Sequence, residues 1–175
     1  GARWSSTLCA MNTIDWLCTK ALGFNELSDE ERTAIMHFSL LWSFFEAEAL
    51  NTNASANSIL ALVHKWASKG RLNITPFAPS LAYFRDRYFN YGTATEHFSG
   101  LNLRRNDSPE LVCSVLKGEN TNPTECVAAL LIIIYRLRNN LFHGVKWAYG
   151  IRGQLGNFTY ANETLMAALE THGHF

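Results

Sequence analysis

Asn122-Pro123-Thr124-Glu125-Cys126-Val127-Ala128-Ala129-Leu130-Leu131-Ile132-Ile133-Ile134-Tyr135-Arg136-Leu137-Arg138-Asn139-Asn140-Leu141-Phe142-His143-Gly144 is the stretch that decides the fold. It opens on an N-cap Asn, a Pro at the first helical position and a Glu at the third, which together satisfy and neutralise the exposed N–H groups of a helix start. It closes on Gly144, the residue type that most easily takes the left-handed conformation ending a helix. The run Ile132-Ile133-Ile134-Tyr135 has strand propensity on its own, but it lies between these two helix signals and is read as helical. At about 100° per residue, Val127, Leu130, Leu131, Ile134, Leu137 and Leu141 fall on a core side. Ile132, Tyr135, Arg136, Asn139 and His143 fall on the other. An isoleucine at the edge of a polar side marks a helix that its own domain wraps or that a partner covers.

Working outward, the same grammar gives further helices. An amphipathic segment over about Ser5–Leu22 stops at Gly23. Ser28-Asp29-Glu30-Glu31 places an N-cap serine before a glutamate at N3 and opens a helix to about Leu50. Ile59, Leu60, Leu62, Val63 and Trp66 have helical spacing within Ala56–Ser68, with Gly70 beyond. Pro79 stands near the start of an aromatic helix over Ser80–Asn90. Ser108-Pro109-Glu110 opens a short helix ending at Gly118, and a last helix covers about Phe158–Thr171. Residues 91–107 and 145–156 are expected to be loops, and no strand is expected. The expectation is an all-α, single-domain bundle of about six helices spanning residues 1–175.

With 47% hydrophobic residues and zero formal net charge, the chain lacks the low hydrophobicity and high charge of a disordered protein. A neutral chain with pI near 7.2 is not one that coats nucleic acid, so any nucleic-acid contact must be local. Cys9, Cys18, Cys113 and Cys126 form no CxxC pair, and no Cys/His cluster has zinc spacing. Reduced thiols, no metal and no cofactor are therefore expected. Gly1-Ala2-Arg3-Trp4 has neither the apolar core nor the cleavage site of a secretory leader. The apolar run Cys126–Tyr135 is too short to span a bilayer. A cytoplasmic protein with no membrane partner is expected.

Local charge is more informative. No Asp or Glu occurs between Glu125 and Glu163, while Arg136, Arg138, Lys146 and Arg152 all fall in that interval. On a neutral protein this predicts a confined basic field suited to phosphate. Trp147 and Tyr149 follow in a loop and could stack on unpaired bases. His143, at the exposed carbonyls of a helix end and near cationic side chains, is placed for acid–base work.

Arg138-Asn139-x-x-x-His143, within Tyr-Arg-Leu-Arg-Asn-Asn-Leu-Phe-His-Gly-x-Lys, resembles the R-x(4–6)-H motif of the HEPN superfamily in its R-N-x-x-x-H form. The resemblance implies an all-helical bundle and a metal-independent endoribonuclease working as a homodimer, with two motifs facing one cleft. It implies His143 as catalytic histidine, Arg138 as phosphate-contacting arginine and Asn139 as the polar residue beside it. It also implies an acid from an earlier helix, for which Glu46 is the candidate and Glu48 the alternative. Arg136, Lys146, Arg152 and Trp147 are the expected RNA contacts. Cleavage would proceed by attack of the ribose 2′-OH on phosphorus, in defence, stress response or a toxin–antitoxin pair with an antitoxin or nucleotidyltransferase partner. The alternatives are a non-catalytic HEPN module that dimerises and binds RNA or nucleotides, and a helical scaffold.

One geometric point accompanies the motif. Five residues of ideal helix turn about 500°, so Arg138 and His143 diverge by roughly 140°. Two chains sharing a site, with Ile132 in their contact, would reconcile the divergence. His37, His64 and His97 are read as structural or exposed, the aromatics at 83–89 as packing, and His172 and His174 as parts of a fraying tail.

Overall fold

The computed structural model describes residues 12–144 and 151–173. Among them stand seven α-helices: α1 (Thr13–Lys20), α2 (Asp29–Leu50), α3 (Ala56–Ser68), α4 (Ala78–Tyr88), α5 (Pro109–Leu116), α6 (Pro123–Phe142) and α7 (Leu155–His172). The bundle is all-α apart from one small hairpin. Helix starts follow the polar residues that cap them. Ser28 Oγ accepts from Glu31 N while Glu31 returns a carboxylate oxygen to Ser28 N. Ser55 and Ser58 form the same reciprocal box on α3, and Asn122 Oδ1 accepts from Glu125 N. The closing glycine of α6, Gly144, takes φ 74°.

α6 is the central element. From Cys126 to Ile134 every residue is buried, and α3, α5, α4 and α7 all pack on it. A helix apolar on all sides is one enclosed by its own domain. That settles the place of Ile132: none of its surface is exposed (0%). The residue expected at an intermolecular contact is instead core, because α3, α4, α5 and α7 together leave the N-terminal half of α6 no open side.

α2 and α7 form the most extensive helix pair. Phe38 of α2 meets Phe158 of α7 with ring centroids 5.1 Å apart, and Asn162 Nδ2 of α7 donates to the Ala34 carbonyl at 3.1 Å. α4 joins through Tyr83, which stacks on Tyr160 at 4.3 Å. Where no strand is expected, β1 (Phe89–Asn90), at the end of the expected Ser80–Asn90 helix, pairs with β2 (Thr93–Ala94), inside the expected 91–107 loop. Tyr91 and Gly92 between them both have positive φ, as the tight turn matching strand twist requires. The chain then makes two 3-10 turns, Ser99–Leu101 and Arg105–Asp107.

The end of α7 is not frayed as far as Gly173. Trp66 Nε1 donates to His172 Nδ1 at 3.3 Å, and Arg71 Nη1 donates to the His172 carbonyl at 2.8 Å. His174 lies outside the described residues. Cys18, Cys113 and Cys126 are free thiols. Among the described residues no helix is long and apolar enough to cross a membrane.

Candidate functional site

The last two turns of α6 emerge from the core at one side only, and this divides the motif residues. Arg138 is partly exposed and faces α2. Its Nη2 lies 3.9 Å from Glu46 Oε2, its Nη1 donates to Asn139 Oδ1 at 2.9 Å, and its guanidinium carbon sits 5.4 Å from the centre of the Phe142 ring. The last contact, at i,i+4, draws the guanidinium one turn toward the end of the helix and adds a cation–π attraction. Among the described residues these are the contacts of a side chain with five N–H donors, and its Nε makes no hydrogen bond.

Glu46 is itself held. Trp42 Nε1, one turn earlier on α2, donates to Glu46 Oε2 at 2.6 Å. Trp42 is fixed in turn by ring contacts with Phe45 and with Tyr135 of α6. Glu48, the other acid considered, stands instead beside His172 at the far side of α2. The structure therefore brings Glu46 to Arg138 and leaves Glu48 elsewhere.

Asn139 joins the two ends of the motif. Its side chain accepts from Arg138, and its carbonyl accepts from His143 N at 2.9 Å. His143 is the C-cap of α6 and is exposed. A buried amide thus fixes the arginine while the same residue's backbone fixes the position of the histidine.

Arg136 does not belong to this surface. It is 2% exposed, and its Nη1 lies 3.4 Å from Asp107 Oδ2. Burial pulls its pKa below the ordinary arginine value, partly offset by the Asp107 carboxylate. Asp107 Oδ2 also accepts from Arg104 N at 2.8 Å. Arg136 Nη2 reaches Asn140 Oδ1 at 3.4 Å, and Asn140 Nδ2 donates to the carbonyls of Gly100 and Leu101. The network ties residues 100–107 to α6. Arg136, expected among the RNA contacts, is a structural arginine enclosed by its own chain. Asn140 is the residue that fastens this segment.

Arg152, also expected to contact RNA, extends to Glu26 at 2.7 Å. Lys146, Trp147 and Tyr149 lie outside the described residues. Each described arginine of the acid-free interval therefore has an acid from another part of the chain: Asp107, Glu46 and Glu26. The interval is free of acids along the sequence but not in space, which reduces the basic field expected there. Sequence reasoning missed Trp42, Asp107 and Asn140. The i,i+4 spacing of Trp42 and Glu46 was a signal for the first; nothing local marks the other two.

Among the described residues no three His, Cys, Asp or Glu side chains gather as a metal site. Compared with family models, with curated proteins and with solved structures, the chain has no match.

Proposed function

We propose that this chain is a HEPN-type domain that cleaves RNA without a metal ion at the C-terminal end of α6. The observation that carries the reading is the meeting of Arg138, Asn139 and Glu46, with His143 exposed at the end of the same helix. Those residues come from two helices separated in sequence, and they are the set that the R-N-x-x-x-H resemblance singles out. Arg138 retains N–H donors beyond its bond to Asn139, and a phosphate can take them with better geometry than the 3.9 Å contact to Glu46. Glu46, anchored by Trp42, keeps the guanidinium aimed while the site is empty.

In the reaction His143 takes the proton of the ribose 2′-OH. The 2′-oxygen attacks phosphorus and the bond to the 5′-oxygen breaks, leaving a 2′,3′-cyclic phosphate. Arg138 offsets the charge that builds on the phosphoryl oxygens. A second protonated His143, from a second copy, supplies the proton to the leaving 5′-oxygen. Phe142, exposed next to His143, is better placed than Ile132 to meet that copy. As a member of this family the domain would act in the cytoplasm in defence, stress response or a toxin–antitoxin pair.

The test is cleavage of single-stranded RNA in EDTA by wild type, His143→Ala and Arg138→Ala. We expect losses of at least about a hundredfold in each variant, the scale of removing one transition-state donor, and no cleavage of DNA. Cleavage that survives either substitution rejects the site. RNA binding without cleavage, lost in Arg138→Ala, identifies a binding module instead.

A further inference from the structure

One face of α4 opens onto a cavity rather than onto the core. Tyr83, Asp86 and Arg87 stand at i, i+3 and i+4 on that face, while Phe84 and Tyr88 of the same aromatic run are buried in the core. Together with Tyr160 of α7 and residues 95–97 after β2, they line a cavity of about 850 Å³. Small-molecule sites are of this size.

The walls are held by the fold itself. Tyr83 stacks on Tyr160 with ring centroids 4.3 Å apart and planes within 14°. The Tyr83 hydroxyl donates to Asn157 Oδ1 at 3.0 Å, and Asn157 Nδ2 donates to Gln154 Oε1 at 2.7 Å. Gly156 makes room for this ring, since a Cβ there would collide with the Tyr83 hydroxyl. Thr95 Oγ1 donates to the Arg87 carbonyl and Thr95 N to the Tyr88 carbonyl, which ties residues 95–97 to the end of α4.

The charged groups on the lining differ in their commitments. Glu96 pairs with His97 at 3.7 Å. Asp86 is exposed and, among the described residues, takes part in no ion pair or side-chain hydrogen bond. Arg87 interacts with the hydroxyls of Tyr83 and Tyr88. None of the ion pairs among the described residues uses it, and its Nε is buried without a hydrogen-bond partner. A guanidinium carries five N–H donors, so Arg87 keeps donors for an acceptor brought by a ligand.

We propose that this cavity binds a guanine base stacked against the tyrosine pair, with Asp86 accepting from its N1–H and 2-amino group and Arg87 donating to its O6. Stacking on an aromatic ring is open to every base, so the polar pair makes the choice. Among the four RNA bases only guanine sets two neighbouring N–H donors beside a carbonyl acceptor, the complement of a carboxylate next to an arginine. Arginine donating to guanine O6 is a recurrent base contact. A free guanine nucleotide and an unpaired guanosine in RNA offer the same chemistry. The cavity shares no residue with Arg138, Glu46 and His143, and the proposal does not rest on the ribonuclease reading.

Isothermal titration of the full chain with GMP, IMP and UMP provides the test. The three share a phosphate, and IMP lacks only the 2-amino group of GMP. GMP is expected to bind at least about tenfold tighter than UMP. Asp86→Asn, at an exposed position, should leave the thermal melt unchanged, weaken GMP at least about fivefold and weaken IMP less. Tyr160→Leu keeps an apolar side chain but no flat ring, and should weaken GMP about tenfold. Five-nucleotide strands with 2′-O-methyl riboses and a central guanine or uracil separate the sources, since without a 2′-OH they cannot be cleaved. A guanine strand at least about tenfold tighter than both GMP and the uracil strand assigns guanosine in RNA; anything less, with GMP preferred over UMP, assigns the free nucleotide. No guanine preference in either the mononucleotides or the strands, or a preference unchanged by Asp86→Asn, overturns the proposal.

Discussion

Arg136 and Arg138 are two residues apart on one helix, in one motif, and have opposite fates. Arg136 is enclosed between α6 and the 100–107 segment, paired with Asp107 and bonded to Asn140. Arg138 lies at the rim, touching Glu46 loosely and Asn139 closely. Two residues turn a helix by about 200°, which here separates the inside of the domain from its edge. The difference teaches that the type of a charged residue says little about its task, whereas the source of its countercharge says much. A charge whose partner is brought in by a buried loop supports the fold. A charge whose partner stands at an open rim remains available to a ligand.

The sharpest way to break this comparison is to remove the carboxylate that Arg136 depends on. Asp107→Asn keeps the size and leaves a guanidinium buried without its countercharge. Losing one member of a buried pair costs about 3–5 kcal/mol, measured as a fall in the urea midpoint. Replacing both, Asp107→Leu with Arg136→Met, should recover much of that loss. A single variant within about 1 kcal/mol of wild type would show that Arg136 is solvated after all, and the contrast with Arg138 would disappear.

The rim pair should behave differently. Glu46→Gln keeps an acceptor for Trp42 and removes the charge facing Arg138. Its cost to stability should stay below about 1 kcal/mol, as for exposed or loosely formed pairs. RNA cleavage should fall about tenfold or more, because the guanidinium loses its aim and misplacement of a positioned group lowers rate steeply. A stability loss on the scale of Asp107→Asn, with RNA cleavage per folded molecule unchanged, would make Glu46 another structural partner and leave Arg138 without a positioned acid.

How much of this was legible in the sequence follows from the range of each physical signal. Helix starts were legible at Ser28 and Asn122, because capping is settled within four residues. The depth of α6 was not. A wheel divides a helix into two sides, but Ile132 is covered on its second side by elements far away in the chain. The acid-free interval misled for the same reason: electrostatic fields add in space, and Asp107, Glu46 and Glu26 arrive from other segments. Arg138, Asn139 and His143 were legible as a motif. Glu46 entered through resemblance, and Trp42, which holds it, was not singled out.

The end of α7 provides the smallest effect and a third case between the two arginines. His172 meets Trp66, which is 106 residues away in sequence. Its Nδ1 accepts from the indole N–H, so the neutral ring carries its proton on Nε2. Burial, with Lys65 and Arg71 nearby, lowers its pKa below 6.5, and Glu48 opposes that shift. The folded protein therefore binds the proton less readily than the unfolded chain. Stability is fully present above about pH 6.5 and declines as pH falls through that value toward the lowered folded pKa. Protonating Nδ1 also turns the acceptor into a donor facing another donor. The loss should be near the value of one partly exposed hydrogen bond, about 1 kcal/mol or less. That corresponds to a fall in Tm of a few degrees at most for a chain of this size. Comparing Tm of wild type and His172→Gln at pH 7.5 and pH 5.5 isolates it from other titrations. The gap between the two proteins should narrow at the lower pH. A gap that widens on acidification would mean that His172 is stabilised as the cation by Glu48, and that the nearer carboxylate outweighs burial.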